Sequence, residues 1–190
     1  DTVGTVRTVR YTAATKQVTV HLRSGGKGLA LGKYAEAEAL EVVDLPALVS
    51  LRVDHNSFAK SHGVLTLANC SRLETFAAGD SAFENFKLQL EALPALTKIT
   101  VGRNCFRANL HLALVGFPRL RSLFVDASSF TALGSFTVSD CPALKEITIN
   151  AFAMSHYTFS LRDAPALETI AIGDNCFDDA DAFELSGLPS

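Results

Sequence analysis

A leucine returns along this chain at positions 48, 73, 96, 120, 144 and 167, at intervals of 25, 23, 24, 24 and 23 residues. Most of these leucines close a four-residue phrase with proline in second place. The phrases are Leu45-Pro46-Ala47-Leu48, Leu93-Pro94-Ala95-Leu96, Phe117-Pro118-Arg119-Leu120, Cys141-Pro142-Ala143-Leu144 and Ala164-Pro165-Ala166-Leu167. Cys70-Ser71-Arg72-Leu73 keeps the frame without the proline, and Leu188-Pro189 opens another phrase. A period this regular confines the chain to a stack of like units. Each unit is too small to bury its own apolar face and closes a core only against its neighbours.

Each anchor leucine opens the same pattern. Leu48 is followed by Leu51, Val53, Asn56 and Phe58; Leu96 by Ile99, Val101, Asn104 and Phe106; Leu167 by Ile170, Ile172, Asn175 and Phe177. Apolar residues two apart share one face of a strand. The Asn falls where the strand must turn, which predicts a buried amide bonded to backbone groups the strand leaves unpaired. Ser81 and Ser128 replace it in part; Phe152 cannot, so an irregular fifth turn is expected. Phe58, Phe83, Phe106, Phe130, Met154 and Phe177 fall at one repeat position and predict a stacked spine. A second alternating run closes each unit: Leu65 and Leu67, Leu88 and Leu90, Leu112 and Leu114, Phe136 and Val138, Phe159 and Leu161, Phe183 and Leu185. Period two again means strand. The expectation is two parallel sheets per solenoid, with at most a turn of helix between them.

The pattern L-x-x-L-x-L-x-x-N-x-L, with Phe in the last place, resembles the leucine-rich-repeat family over about residues 38–190. The turn Ile172-Gly173-Asp174-Asn175-Cys176-Phe177 also looks like the BspA-type repeats of microbes and protists. The resemblance implies a right-handed solenoid that binds proteins, and an extracellular or cell-surface location. Residues 29–190 make about six and a half repeats. Residues 1–28 precede them, with Val6 to Tyr11 and Gln17 to Leu22 alternating like two strands, as a β-hairpin cap would. The chain opens on Asp1 and stops in mid-phrase at Ser190, which predicts a segment of a longer protein with an uncapped C-terminal edge.

Charge and chemistry narrow the function. Seventeen Lys and Arg stand against twenty Asp and Glu, net −3, and the basic residues are scattered. Nucleic-acid binding needs a concentrated positive field, so it is not expected. No apolar run approaches the roughly 20 residues of a membrane span. Cys70 and Cys141 share one repeat position, Cys105 and Cys176 another, each pair three repeats apart. At about 4.8 Å per strand that is ~14 Å, beyond the roughly 7 Å limit for a disulfide, so small buried residues are expected. His55, His62 and His156 read as solvated loop residues without a metal or catalytic frame. Asp174, Asp178, Asp179 and Asp181 lack EF-hand spacing. The glycines at 32, 79, 102 and 173 read as turn residues. Asn69-Cys70-Ser71 is an N-glycosylation sequon whose middle residue falls at a core position, which predicts poor access.

No constellation of an enzyme or cofactor site emerges, and a non-catalytic scaffold that binds another protein is the first expectation. Outward positions of the first strand form two columns, and Phe124 interrupts a run of small residues. Arg52, Lys98, Ser122, Phe124, Glu146 and Thr148 are the candidate protein-binding residues, since aromatic and arginine side chains anchor interfaces. The alternative is a structural or adhesive surface array that self-associates through its C-terminal edge.

Overall fold

The computed structural model describes residues 6–12, 17–22, 28–31, 39–59, 62–150, 156–177 and 179–189. Between corners the chain is strand, and no helix occurs among the described residues. One face carries β3 (Gly28–Leu31), β5 (Ser50–Val53), β7 (Thr75–Ala78), β9 (Lys98–Val101), β11 (Ser122–Val125), β13 (Glu146–Ile149) and β15 (Thr169–Ile172). The other carries β1 (Val6–Thr12), β2 (Gln17–Leu22), β4 (Ala39–Val43), β6 (His62–Ala68), β8 (Asn85–Glu91), β10 (His111–Val115), β12 (Ser135–Ser139), β14 (His156–Arg162) and β16 (Asp179–Ser186).

The odd strands from β3 to β15 form one seven-stranded parallel sheet, in register turn upon turn. Leu51, Phe76, Ile99, Leu123, Ile147 and Ile170 lie side by side across it. β1 and β2 pair antiparallel, and β2 joins the other face through β4 in parallel. The molecule is a β-solenoid: from β4 to β14 the inward residues are mostly buried and the outward ones alternate with them, and a single core runs through the stack, while in the last turn Ile172, Phe183 and Leu185 are partly exposed.

The corners explain the repeat phrase. In each proline phrase the fourth residue's N–H donates to the first residue's carbonyl, as from Leu48 to Leu45 (3.1 Å) and Leu96 to Leu93 (3.1 Å). Proline sits second in this β-turn, where its fixed φ is required. Cys70 to Leu73 makes the same turn with Ser71 in that place (3.0 Å).

The opposite corner corrects one expectation. Asn56, Asn104 and Asn175, with Ser81 and Ser128, adopt φ between 54° and 60°. Asn56 and Asn175 are exposed and Asn104 half-buried, so the amide is not a buried backbone partner. Asn is selected there because it tolerates the left-handed conformation. The phenylalanine two residues on is left-handed as well, at φ 54–59° for Phe58, Phe83, Phe106, Phe130 and Phe177. That strained backbone turns each ring inward, where Phe58, Phe83, Phe106 and Phe130 stack at centroid spacings of 4.8, 5.4 and 5.4 Å. Phe152 and Met154 lie outside the described residues.

The second face is interrupted. It consists of a five-stranded sheet ending at β8 and a four-stranded sheet starting at β10. Asn109 sits in the seam. It occupies the repeat position held by Phe86 and Leu133 in neighbouring turns, and is itself only 2% exposed. Its Oδ1 accepts the Leu88 N–H (3.0 Å) and its Nδ2 donates to the His111 carbonyl (2.9 Å). One side-chain amide thus satisfies groups that a ladder would otherwise pair.

Candidate binding surface on the seven-stranded sheet

The strand register fixes which outward residues meet. Ser50, Thr75, Lys98, Ser122, Glu146 and Thr169 form one column; Arg52, Ala77, Thr100, Phe124, Thr148 and Ala171 form the next. All six candidate residues from the sequence therefore share this face. Lys98, Ser122 and Glu146 stand on consecutive strands, as do Thr100, Phe124 and Thr148. Arg52 is three strands from Phe124, roughly 14 Å at the usual spacing.

The small residues between Arg52 and Phe124 leave a hollow. A depression of about 290 Å³ is lined by Arg52, Ala77, Thr100 and Phe124, and by Asp54, His55, Asp80 and Asp126 where the strands end. Phe124 is half-buried and forms a wall of the hollow instead of protruding. Lys98, Ser122, Glu146 and Thr148 lie outside it; Thr148 Oγ1 donates to Glu146 Oε1 on its own strand (3.5 Å).

A polar network runs along the end of the hollow, and sequence reading passed over it. The Asp80 N–H donates to His55 Nδ1 (2.9 Å), which assigns that nitrogen as the unprotonated one. Asp80 Oδ1 accepts the Arg103 N–H (3.0 Å), and Arg103 Nε lies 3.4 Å from Asp126 Oδ2. Asp126 Oδ1 accepts from Asn150 Nδ2 and from the Ala127 N–H, both at 2.8 Å. Burial disfavours the charge on Asp126, but the bonds from Asn150 and Ala127, with Arg103 alongside, outweigh it and lower the pKa. Arg52 Nε lies 3.6 Å from Asp54, both largely exposed, a pair of little energetic weight.

Two glycines make the network possible. A Cβ on Gly79 would lie 2.8 Å from the His55 nitrogen, and one on Gly102 would lie 2.7 Å from the Asp80 nitrogen. These residues are glycine for close approach of one turn to the last, not for an unusual φ. The signal was present in the sequence as Asp54, Gly79, Gly102 and Asp126 at one repeat position, each six residues after its leucine.

Other hollows gather less chemistry. One of about 550 Å³ runs along the proline corner past Pro118, Pro142 and Pro165. Two more flank the seam between β8 and β10, at about 360 and 480 Å³, with Glu91 as the charged residue in each. Among the described residues no group of three or more His, Cys, Asp or Glu is placed to hold a metal ion. No helix among them is long and apolar enough to cross a membrane.

The cysteines have a role beyond small size. Cys105 Sγ donates to the Gly79 carbonyl of the preceding turn (3.2 Å), and Cys176 Sγ to the Asn150 carbonyl (3.1 Å). Ser129, at the same repeat position, donates to the Gly102 carbonyl (2.7 Å). Among the described residues no disulfide joins the four cysteines.

Comparison of the chain with families of proteins, with curated proteins and with solved structures found no match.

Proposed function

We propose that this chain is a non-catalytic interaction scaffold of leucine-rich-repeat type, exposed at a cell surface, that binds another protein through the outer face of its seven-stranded sheet. The observation that carries this reading is the hollow between Arg52 and Phe124. Small side chains floor it, an aromatic ring walls it, and an ordered polar network edges it. That combination suits the anchor-and-pocket contacts that dominate interface energetics.

The test is selection of peptides from a displayed library on the immobilised chain. Phe124→Ala should weaken the selected peptides by roughly 2 kcal/mol or more, about thirtyfold, without loss of stability. Thr137→Ala on the opposite sheet should leave binding unchanged. Peptides indifferent to both Phe124→Ala and Ala77→Arg would overturn the assignment of this face.

A further inference from the structure

The sequence contains one N-x-S/T motif, Asn69-Cys70-Ser71, and it arises from a double departure from the repeat. The equivalent corners read Asp44 with Pro46, Ala92 with Pro94, Gly116 with Pro118, Asp140 with Pro142, Asp163 with Pro165 and Gly187 with Pro189. Only this corner has Asn in the first place and Ser in the third. The core position of Cys70 predicted poor access, and the fold reverses that expectation. Cys70 is buried, but Asn69 and Ser71 on either side of it are both exposed. The reason is the corner itself. Asn69 has φ 55°, and the Cys70–Leu73 turn follows at once, so the chain swings the thiol inward and its two neighbours outward.

We propose that Asn69 is an acceptor for N-linked oligosaccharide. In the transfer, the Asn69 carboxamide nitrogen attacks the anomeric carbon of a lipid-diphosphate-linked oligosaccharide in a secretory compartment. The carbon–nitrogen bond forms, the anomeric carbon–oxygen bond breaks, the lipid diphosphate leaves with the electron pair, and the proton lost by the amide passes to a base of the transferase and from it to solvent. The folded corner accommodates the product. Asn69 Nδ2 donates to Asp44 Oδ1 at 3.0 Å, and the glycosylated amide keeps one N–H for this bond. The turn's own bonds, from the Asn69 N–H to the Glu91 carbonyl (3.2 Å) and from Leu73 to Cys70, use backbone atoms and are untouched. A glycan here lies on the proline corner, at the opposite end of β7 from the hollow, and leaves that face clear.

The experiment translates the full chain behind a cleavable signal segment in the presence of microsomes, and reads only the protease-protected fraction. The wild type should shift in mobility and return to its original position on treatment with an amide-cleaving glycosidase. Asn69→Gln and Ser71→Pro should give no shift, while Ser71→Thr should shift at least as fully as the wild type. Ser71→Pro restores the residue carried by the other corners, so it removes the acceptor while keeping the turn. A protected wild-type chain with no shift, or a shift that survives in Asn69→Gln, overturns the proposal.

Discussion

At the scale of single residues, this fold is governed by backbone positions that most side chains avoid. Each turn passes through the left-handed region up to three times: at the Asn or Ser, at the Phe two residues on, and at the corner before the proline phrase. The corner position is filled by Asp44, Asn69, Ala92, Gly116, Asp140, Asp163 and Gly187. Ala92, at φ 50°, has neither the freedom of glycine nor the polar side chain of Asp or Asn. A left-handed conformation costs an L-residue roughly 1–2 kcal/mol, partly offset by the greater freedom of glycine in the unfolded chain. Ala92→Gly should therefore stabilise the protein by about 0.5–1 kcal/mol, measured by denaturant unfolding. The thiols give a second test at this scale. Burial pushes the Cys105 pKa up to about 12, only partly relieved by a backbone bond near Ala82. A folded pKa above the unfolded one means the protonated thiol contributes fully below the unfolded value, roughly 8.5. That contribution is lost as pH climbs through the folded value. The stability advantage of wild type over Cys105→Ala should shrink steadily from about pH 8.5 upward. At pH 8 a thiol reagent should reach half-buried Cys176 first, and Cys70, Cys105 and Cys141 only on unfolding.

At the scale of elements, the strand pairs and the spine were legible because both rest on periodic burial. Ile99 and Val101, or Phe136 and Val138, can face only one way in a period of two, and the core position of each is what the fold shows. Phe106→Ala should cost on the order of 3–5 kcal/mol, since its ring stacks on both Phe83 and Phe130 and is wholly buried. Thr100→Ala, half-exposed on the outer face, should stay within about 0.5 kcal/mol; thermal unfolding of both variants checks the contrast. What stayed hidden depends on contacts between turns, not within one. The hydrogen-bonding role shared by Cys105, Cys176 and Ser129 shows only when one turn's carbonyl is set above the next turn's side chain. The same holds for the glycines beneath His55 and Asp80. The hollow itself was half legible: Arg52 and Phe124 were recognisable as anchors, but not the space left between them by Ala77 and Thr100. Asn109 was unreadable for another reason. A polar residue at a core position gives no sign of which backbone groups it will satisfy.

At the scale of the whole molecule, the seam divides one face of the stack and not the other. Stability in such arrays is a sum of units and of the contacts between neighbours. The contact between the turns on either side of Asn109 lacks one of its two ladders. Hydrogen exchange should accordingly show two blocks, one up to β8 and one from β10, opening with different free energies. Asn109→Ala should lower both protections and single out the Leu88 amide, which loses its acceptor at a cost of about 1–3 kcal/mol. Uniform protection across the stack would contradict this division. The seam has a mechanical meaning too. Up to it and beyond it, a ladder laces both walls of the solenoid. At Asn109 the seven-stranded wall keeps its ladder, while the opposite wall is joined by the Leu88–Asn109 bond and by the corner bonds from Phe106 to Phe83 and Arg107 to Glu84. The rod is expected to bend there before it bends elsewhere, with the curvature of the candidate binding face changing as it does.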